Sequence, residues 1–142
     1  MRVLQLNLNH CRAAQDLLSQ RVTELGVDAA MLCEQYIDLE TQPWVSDRTK
    51  KAAIWACGRL PFEQLPTTLT TWFVRAKIGG VHLYSCYAPP SASIEEFENF
   101  LDNLADDVRR HQPAAIAGDF NTWSIEWGSR ETDRRGEALQ EA

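Results

Sequence analysis

The chain has 142 residues, of which 44% are hydrophobic, and its 14 basic and 20 acidic side chains leave a formal charge of −6. This length suits one domain with a substantial core, so residues 1–142 are expected to form a single domain. The negative charge argues against general electrostatic coating of nucleic acid or membrane, although it leaves room for a local basic patch. No apolar run approaches the roughly 20 residues of a membrane-spanning helix, and no secretory signal opens the chain. We therefore expect an intracellular protein, nuclear or cytoplasmic, that is not secreted and has no membrane partner.

The four cysteines have no spacing typical of a zinc site. They stand at Cys11, Cys33, Cys57 and Cys86. We expect all four to be reduced, mostly buried small residues.

The first part of the chain predicts a strand, a helix and a second strand. Residues 3–8 form a short apolar run typical of a buried strand. A helical repeat follows and ends at Gly26, with five apolar residues expected on its buried face: Ala14, Leu17, Leu18, Val22 and Leu25. Residues 28–34 predict another buried strand that ends on a charged residue, and residues 36–51 are loop-like.

The middle of the chain predicts a series of strands. These are expected over residues 52–56, 69–78 and 81–87. The pair Gly79-Gly80 between the last two predicts a tight hairpin.

A long amphipathic helix and one more strand follow. Ser93 and Glu96 have the spacing of a capping box, and the apolar stripe behind them runs to about His111. Residues 114–117 predict a small buried strand, and a last helix is expected to begin near Asp133. This order of elements predicts an α/β fold with a mixed or antiparallel sheet.

Polar residues stand at the ends of three apolar strands, where they are costly to bury. They are Asn7, Glu34 and the pair Asp119 and Asn121. Taken singly, Asn7 fits a core amide, Glu34 a salt-bridged strand end, and residues 118–121 a turn. Together, at one crevice of a layered fold, they offer hard oxygen ligands suited to Mg²⁺.

The ordered motifs resemble those of the endonuclease/exonuclease/phosphatase superfamily. They are Leu6-Asn7-Leu8-Asn9, Leu32-Cys33-Glu34, Cys86-Tyr87-Ala88-Pro89-Pro90 and Gly118-Asp119-Phe120-Asn121. Three further segments resemble the apurinic-like endonuclease domain of arthropod-type non-LTR retrotransposons: Leu8-Asn9-His10-Cys11, Ala14-Gln15-Asp16 and residues 118–129. In those polyproteins the domain nicks target DNA so that a downstream reverse transcriptase can prime.

The resemblance implies a role for each matching residue. Glu34, Asn7 and Asn9 match positions that hold the catalytic Mg²⁺, with Mn²⁺ as an alternative, and Asn9 stands where many relatives have an acidic residue. Tyr87 matches a tyrosine that contacts the scissile phosphate. Asp119 matches the carboxylate that aligns or deprotonates the attacking water, and Asn121 a side chain that orients the phosphate.

The sequence also departs from the family pattern. The family completes its site with a C-terminal aspartate and a Ser-Asp-His motif, and neither is found in the 142 residues. His82 is expected to be a surface or half-buried sheet residue, and His111 to lie at a helix end. We therefore expect a partial four-layer-type α/β sandwich with a mixed sheet and an incomplete second half, which is a fragment of a larger polyprotein.

A basic stretch and a tryptophan are candidates for DNA contact. Residues 48–77 carry six basic side chains and one acidic one, and Lys50, Lys51 and Arg59 are the ones expected to touch phosphates. Ordinary solvated loop charge is the alternative for this stretch. Trp123 is a candidate for base stacking, with packing beneath the site as its alternative.

The sequence thus predicts Mg²⁺-dependent hydrolysis of DNA phosphodiester bonds by a retrotransposon endonuclease domain. Two alternatives stay open. Within the same chemistry, the chain is a host repair nuclease or an inositol or lipid phosphatase. Outside it, the chain is a catalytically dead remnant that binds nucleic acid without cutting it.

Overall fold

The computed structural model describes residues 1–40, 43–63 and 70–121, which form two four-stranded sheets packed face to face. The first half supplies β1 (Val3–Asn7), α1 (Arg12–Leu25), β2 (Ala29–Cys33), β3 (Trp44–Ser46) and β4 (Ala52–Trp55). The second half supplies β5 (Phe62–Glu63), β6 (Phe73–Ile78), β7 (Val81–Tyr87), α2 (Ile94–Arg110) and β8 (Ala114–Asp119). The predicted last helix near Asp133 lies outside the described residues.

Both sheets are mixed, as predicted. The first has the order β1-β2-β4-β3, with β1 parallel to β2 and the other pairs antiparallel. The second has the order β5-β6-β7-β8, with β7 parallel to β8 and the other pairs antiparallel. In each sheet the one parallel pair is joined through a helix, as parallel strands require.

Three apolar layers hold the fold together. The inner faces of the two sheets bury residues such as Met31, Ile54 and Leu83 between them. Helix α1 covers the outer face of the first sheet, and α2 covers that of the second with an aromatic cluster that includes Phe97 and Phe100. The result is the predicted helix–sheet–sheet–helix sandwich.

The capping box of α2 is confirmed. The Glu96 N–H donates to the Ser93 hydroxyl at 3.1 Å, and the Ser93 N–H donates to the Glu96 carboxylate at 3.0 Å. The hairpin between β6 and β7 is also confirmed, because Gly79 and Gly80 both have positive φ, 57° and 80°.

The predicted buried face of α1 is partly wrong. Leu18 and Val22 are buried, but Leu17 and Leu25 are 55% and 44% exposed. Gln15, one turn before Leu18, takes a buried place on the helix instead. The helix is rotated relative to the predicted stripe because Gln15 has hydrogen-bond partners that the sequence pattern does not reveal.

The short strands and two side chains also differ from expectation. β3 lies inside the segment predicted as loop, and β5 is an additional two-residue strand. His82 is buried, with 7% of its surface exposed, because α2 and its C-terminal His111 cover it. All four cysteines are free, as expected, but Cys11 is exposed where it precedes α1. No helix in the described ranges is long and apolar enough to cross a membrane.

Candidate functional site

The carboxyl ends of four strands approach one another at one edge of the sandwich. β1 and β2 run parallel in the first sheet, and β7 and β8 run parallel in the second. β1, β7 and β8 end at Asn7, Tyr87 and Asp119, and Glu34 is the residue directly after β2. The topology therefore brings polar residues that are distant in sequence to a common edge.

Asn7 and Asp119 connect the two sheets directly. The Asn7 side-chain amide donates to Asp119 Oδ2 at 3.4 Å. The carbonyl oxygen of the same amide accepts a hydrogen bond from the backbone N–H of Asn9 at 2.8 Å. Asn7 is thus held in one orientation, with its oxygen toward the β1–α1 turn and its nitrogen toward the carboxylate.

Tyr87 and Glu34 form the second connection between the sheets. The Tyr87 hydroxyl donates to Glu34 Oε1 at 3.2 Å. Burial raises the pKa of Tyr87, and the nearby negative charge of Glu34 raises it further. The hydroxyl therefore keeps its proton at neutral pH and acts as a donor at this edge.

Asn121 is fixed beside Asp119 by two hydrogen bonds. Its backbone N–H donates to Asp119 Oδ1 at 2.9 Å, and its side-chain amide donates to the carbonyl of Ala88 at 2.7 Å. The Ala88 N–H in turn donates to the Asp119 carbonyl at 2.9 Å. The end of β8 is consequently locked onto the chain that leaves β7.

Residues with left-handed backbone conformations concentrate at this edge. Six non-glycine residues of the described ranges have positive φ: Asn9, His10, Glu34, Lys50, Trp72 and Asn121. Glu34 has φ of 50° and Asn121 has φ of 48°. Such conformations cost free energy and occur frequently at binding and catalytic sites, where the surrounding structure imposes them.

We use the name candidate site for Asn7, Glu34, Tyr87, Asp119 and Asn121. Within the described ranges, no lysine or arginine side chain forms an ion pair with Glu34 or Asp119. Both carboxylates are half-buried, so their charges gain from a cation, which the described part of the chain does not supply there.

The candidate site is poor in protein ligands for a soft metal ion. The described part of the chain contains no group of three or more His, Cys, Asp or Glu residues that could hold a metal ion. Two carboxylates and an amide oxygen are a donor set for a hard cation such as Mg²⁺, which keeps several water ligands. The donor chemistry therefore fits Mg²⁺ and does not fit zinc.

An open groove of about 1000 Å³ lies beside Glu34. The backbone joins its lining to the candidate site: the His10 N–H donates to the Glu34 carbonyl, and the Glu34 N–H donates to the Lys51 carbonyl, each at 2.7 Å. The lining also includes Tyr36, after which we call it the Tyr36 groove.

The predicted DNA-contacting residues fall in different places. Lys50 and Lys51 are exposed and line the Tyr36 groove. Arg59 follows Gly58, whose N–H donates to the carbonyl of Asp28. Asp28 lies before the start of β2, whereas Glu34 follows its end, so Arg59 and Glu34 lie at opposite ends of the sheet. Trp123 lies outside the described residues.

Three buried polar residues at or near the groove, Gln15, Gln35 and Asp47, were missed by the sequence analysis. Gln15 is 4% exposed, and its side-chain oxygen accepts from the N–H groups of Tyr36 and Ile37 at 2.7 and 3.2 Å. Asp47 is 2% exposed and accepts hydrogen bonds from Thr49, Lys51, Ala52 and Trp72. Gln15 precedes Leu18 by three residues and Val22 by seven, which is the spacing of one helix face, and this spacing could have indicated its burial. The partners of Asp47 include a residue far along the chain, so no local pattern could reveal its role.

Comparison with known proteins agrees with this geometry. A protein-family model described as endonuclease-reverse transcriptase matches residues 81–142. Among solved structures, the endonuclease domain of TRAS1, a telomere-specific non-LTR retrotransposon, superposes with a TM-score of 0.84 and 26% sequence identity. The alignment covers 99% of this chain and 68% of the TRAS1 domain. The second half of the chain therefore resembles the endonuclease-reverse transcriptase family. No curated protein matches the chain by sequence.

Two further solved structures share the fold of this chain. A 3′ phosphatase, NExo, from Neisseria bound to a product DNA hairpin has a TM-score of 0.68 and 16% identity. An AP endonuclease from Archaeoglobus fulgidus has a TM-score of 0.65 and 16% identity. Each alignment covers 99% of this chain and 69% of the other. The fold expected from the sequence is thereby confirmed.

Proposed function

We propose that this chain is a DNA endonuclease domain of a non-LTR retrotransposon polyprotein, which hydrolyses phosphodiester bonds with Mg²⁺. The observation that carries the proposal is the convergence of the candidate site. Two carboxylates that form no ion pair with the described residues, two carboxamides and a tyrosine hydroxyl from both sheets meet at one solvent-accessible edge.

Glu34 and the Asn7 oxygen are the residues that would hold the cation. Bound Mg²⁺ supplies charge neutralisation for the phosphate. Asn9 stays a predicted ligand. Its backbone N–H donates to the Asn7 side-chain oxygen, and its own side chain is exposed.

Asp119 is the residue that we propose acts on the attacking water. Its carboxylate accepts the proton of the water while the water oxygen bonds to phosphorus and the bond to the leaving oxygen breaks. The Asn7 and Asn121 donors hold both carboxylate oxygens of Asp119, which fixes its orientation. Cleavage that leaves a 3′-hydroxyl is the outcome that a downstream reverse transcriptase would need for priming.

Tyr87 supplies a buried donor beside the reacting phosphate. Its raised pKa keeps the hydroxyl protonated, so it can donate to a phosphate oxygen when substrate displaces part of its contact with Glu34. Donors aimed at developing negative charge typically change rates by about 10²–10³-fold.

A supercoiled-plasmid nicking assay tests the proposal. The full 142-residue chain is incubated with Mg²⁺ or with EDTA, alongside the variants Glu34→Gln and Asp119→Asn. Glu98→Gln and Asp102→Asn, which change exposed carboxylates on α2, are the matched controls. We expect Mg²⁺-dependent nicking that both site variants abolish and both controls retain.

Parallel substrates separate the alternatives. Preference for a duplex with an abasic site would indicate a repair nuclease, and release of phosphate from an inositol polyphosphate would indicate a phosphatase. DNA binding without cleavage of any substrate in Mg²⁺ or Mn²⁺ would contradict the proposal and indicate a binding-only remnant.

A further inference from the structure

We propose that Asp47 is a positioning residue, which sets the distance between Glu34 and Tyr87 without contacting the substrate. The inference rests on the proposed function, because Glu34 and Tyr87 are the residues assigned there to the cation and to the phosphate. Asp47 acts on them through the backbone of two intermediate residues, Lys51 and Trp72. Four features of the described residues support this role.

The Asp47 carboxylate is buried, and its two oxygens have separate partners. Only 2% of the residue is exposed. Oδ1 accepts hydrogen bonds from the N–H groups of Lys51 at 3.0 Å and Ala52 at 3.2 Å. Oδ2 accepts from the Trp72 N–H at 2.8 Å, and from the N–H and the hydroxyl of Thr49 at 3.2 and 2.7 Å. These donors offset the cost of burying the charge, and together they hold the carboxylate in one orientation.

Oδ1 reaches Glu34 through Lys51. Lys51 is the residue before β4, and its carbonyl accepts a hydrogen bond from the Glu34 N–H at 2.7 Å. The last paired residues of β2 and β4 are Cys33 and Ala52, so the bond between Glu34 and Lys51 adds one rung at the end of this ladder. Asp47 therefore fixes the strand end that carries Glu34.

Oδ2 reaches Tyr87 in the same way, but in the second sheet. Trp72 is the residue before β6, and its carbonyl accepts from the Tyr87 N–H at 2.8 Å. Phe73 and Cys86 are the neighbouring pair of β6 and β7, so this bond also extends a ladder by one rung. A carboxylate that follows β3 of the first sheet thus holds the end of β7 in the second.

The two arms close into a ring at the candidate site. The Tyr87 hydroxyl donates to Glu34 Oε1 at 3.2 Å. This bond completes a circuit that runs from Asp47 through Lys51, Glu34, Tyr87 and Trp72 and back to Asp47. Because both sheets contribute to the ring, a change at the carboxylate alters the separation of the two site side chains.

Left-handed backbone conformations occur along this ring. Trp72 has φ of 69°, Lys50 has φ of 58° and Glu34 has φ of 50°. A bulky aromatic residue rarely adopts such a conformation, and it persists only where the surrounding structure imposes it. The hydrogen bond from the Trp72 N–H to Asp47 is a constraint of this kind.

A local role in the turn between β3 and β4 does not account for the Trp72 bond. Thr49, Lys51 and Ala52 lie within five residues of Asp47, and bonds to such neighbours are those of an ordinary turn aspartate. Trp72 is 25 residues further along the chain and leads into the other sheet. This contact gives Asp47 a connection to Tyr87 that stabilising a turn does not require.

The first test measures amide hydrogen exchange by NMR in the full chain, without DNA or metal. Asp47→Asn keeps the size of the side chain but replaces one acceptor oxygen with an amino group, which breaks one arm. Exchange should become about tenfold faster at the amide that this arm holds, Glu34 or Tyr87, than at the reference amides. The references are Asp28 and Gly79, whose N–H groups are hydrogen-bonded at the opposite ends of the two sheets.

The second test measures the kinetics of plasmid nicking. Asp47→Asn should lower kcat by about 10- to 100-fold, because misplaced groups react slowly. KM for the plasmid should stay nearly unchanged, since no group that contacts DNA is altered.

Two matched controls accompany both tests. Thr49→Val removes the hydroxyl donor to Oδ2 but leaves both arms intact. Asp107→Asn changes a half-buried carboxylate that accepts from the Tyr84 hydroxyl beneath α2. Both controls should retain kcat and the exchange rates of the Glu34 and Tyr87 amides relative to the references.

The outcomes separate a positioning role from a purely structural one. Equal acceleration at Glu34, Tyr87 and the reference amides would assign Asp47 to global stability and overturn the inference. An unchanged kcat in Asp47→Asn, or an equal loss of kcat in Thr49→Val, would overturn it as well.

A third measurement covers an Asp47→Asn variant that does not fold. In the unaltered chain, the Lys51 and Trp72 amides should be as well protected from exchange as those of Glu34 and Tyr87. Much faster exchange at Lys51 or Trp72 would overturn the inference.

The exchange tests also keep this inference apart from the proposed function. They need no cleavage, so selective acceleration at Glu34 or Tyr87 supports the role of Asp47 in a chain that does not nick DNA. The absence of nicking by the unaltered chain would then count against the proposed function alone.

Discussion

The Tyr87 hydroxyl lies 3.2 Å from Glu34 Oε1, and this hydrogen bond joins the last residue of β7 to the residue that follows β2. The donor comes from one sheet and the acceptor from the other. Because the pKa of Tyr87 is raised above its ordinary value, the hydroxyl keeps its proton and donates in this bond at neutral pH.

Tyr87→Phe should remove this donor while keeping the packed ring. We expect the nicking rate to fall by about 10- to 100-fold and the free energy of unfolding by about 1–2 kcal/mol. Tyr84→Phe is the matched control, since Tyr84 is also buried and its hydroxyl donates to Asp107 at 2.7 Å beneath α2. Urea unfolding and plasmid nicking measure the two effects, and equal nicking rates for the two variants would refute the role of Tyr87.

Gly118→Ala should destabilise the fold by about 2–4 kcal/mol. Gly118 has φ of 150°, and a Cβ there would stand 2.0 Å from the carbonyl oxygen of Cys86 on β7. Gly80→Ala is the comparison, because it also has positive φ but nothing within 4 Å of its Cβ. Chemical denaturation should show the larger loss for Gly118→Ala, and a smaller loss would contradict the close approach of β7 and β8.

Stability should decrease as the pH falls below about 6.5, the ordinary pKa of histidine. Burial lowers the pKa of His82, and the nearby His111, Arg75 and Lys77 lower it further, against a smaller opposing effect of Asp107. As the pH falls below 6.5, His82 therefore becomes protonated in the unfolded chain before it does in the folded chain. The free energy of unfolding should then fall by up to about 1.4 kcal/mol for each pH unit.

His82→Gln should reduce that slope, whereas the exposed-residue variant His10→Gln should keep it. Denaturant titrations at pH 7.5, 6.5 and 5.5 give the measurement. Parallel curves for His82→Gln and the unaltered chain would show that another group carries the pH dependence.

Alkylation by iodoacetamide at pH 8 should distinguish the four thiols. Burial raises the pKa of Cys33 and of Cys57 to about 11, and burial also raises that of Cys86. Thiols with such pKa values are almost entirely protonated at pH 8 and react slowly, while Cys11 is exposed. Mass spectrometry should find one rapid adduct, on Cys11, in native protein and four in urea. Equally rapid native labelling of Cys33 would contradict the burial of β2.

Much of the fold was predictable because its features are local. The capping box of Ser93 and Glu96 depends on residues three apart, and the turn at Gly79-Gly80 depends on two adjacent glycines. β5 was not predictable, since two residues become a strand only by pairing with β6. The burial of His82 likewise depends on α2, which the local alternation of β7 does not contain.

The candidate site was predictable to a similar extent. The expectation that Asn7 and Asp119 converge is met by a direct contact, because parallel strands bring their carboxyl ends to one edge. The Tyr36 groove was not foreseen. Its walls depend on Gln15 and Asp47, whose hydrogen bonds reach 22 and 25 residues along the chain.

Because Asn7 and Glu34 belong to one sheet and Tyr87, Asp119 and Asn121 to the other, neither sheet alone contains the whole candidate site. An intermediate with both sheets formed but undocked would show nearly native circular dichroism and no nicking. During refolding, activity should therefore return later than secondary structure, and the delay between the two would time the docking of the sheets.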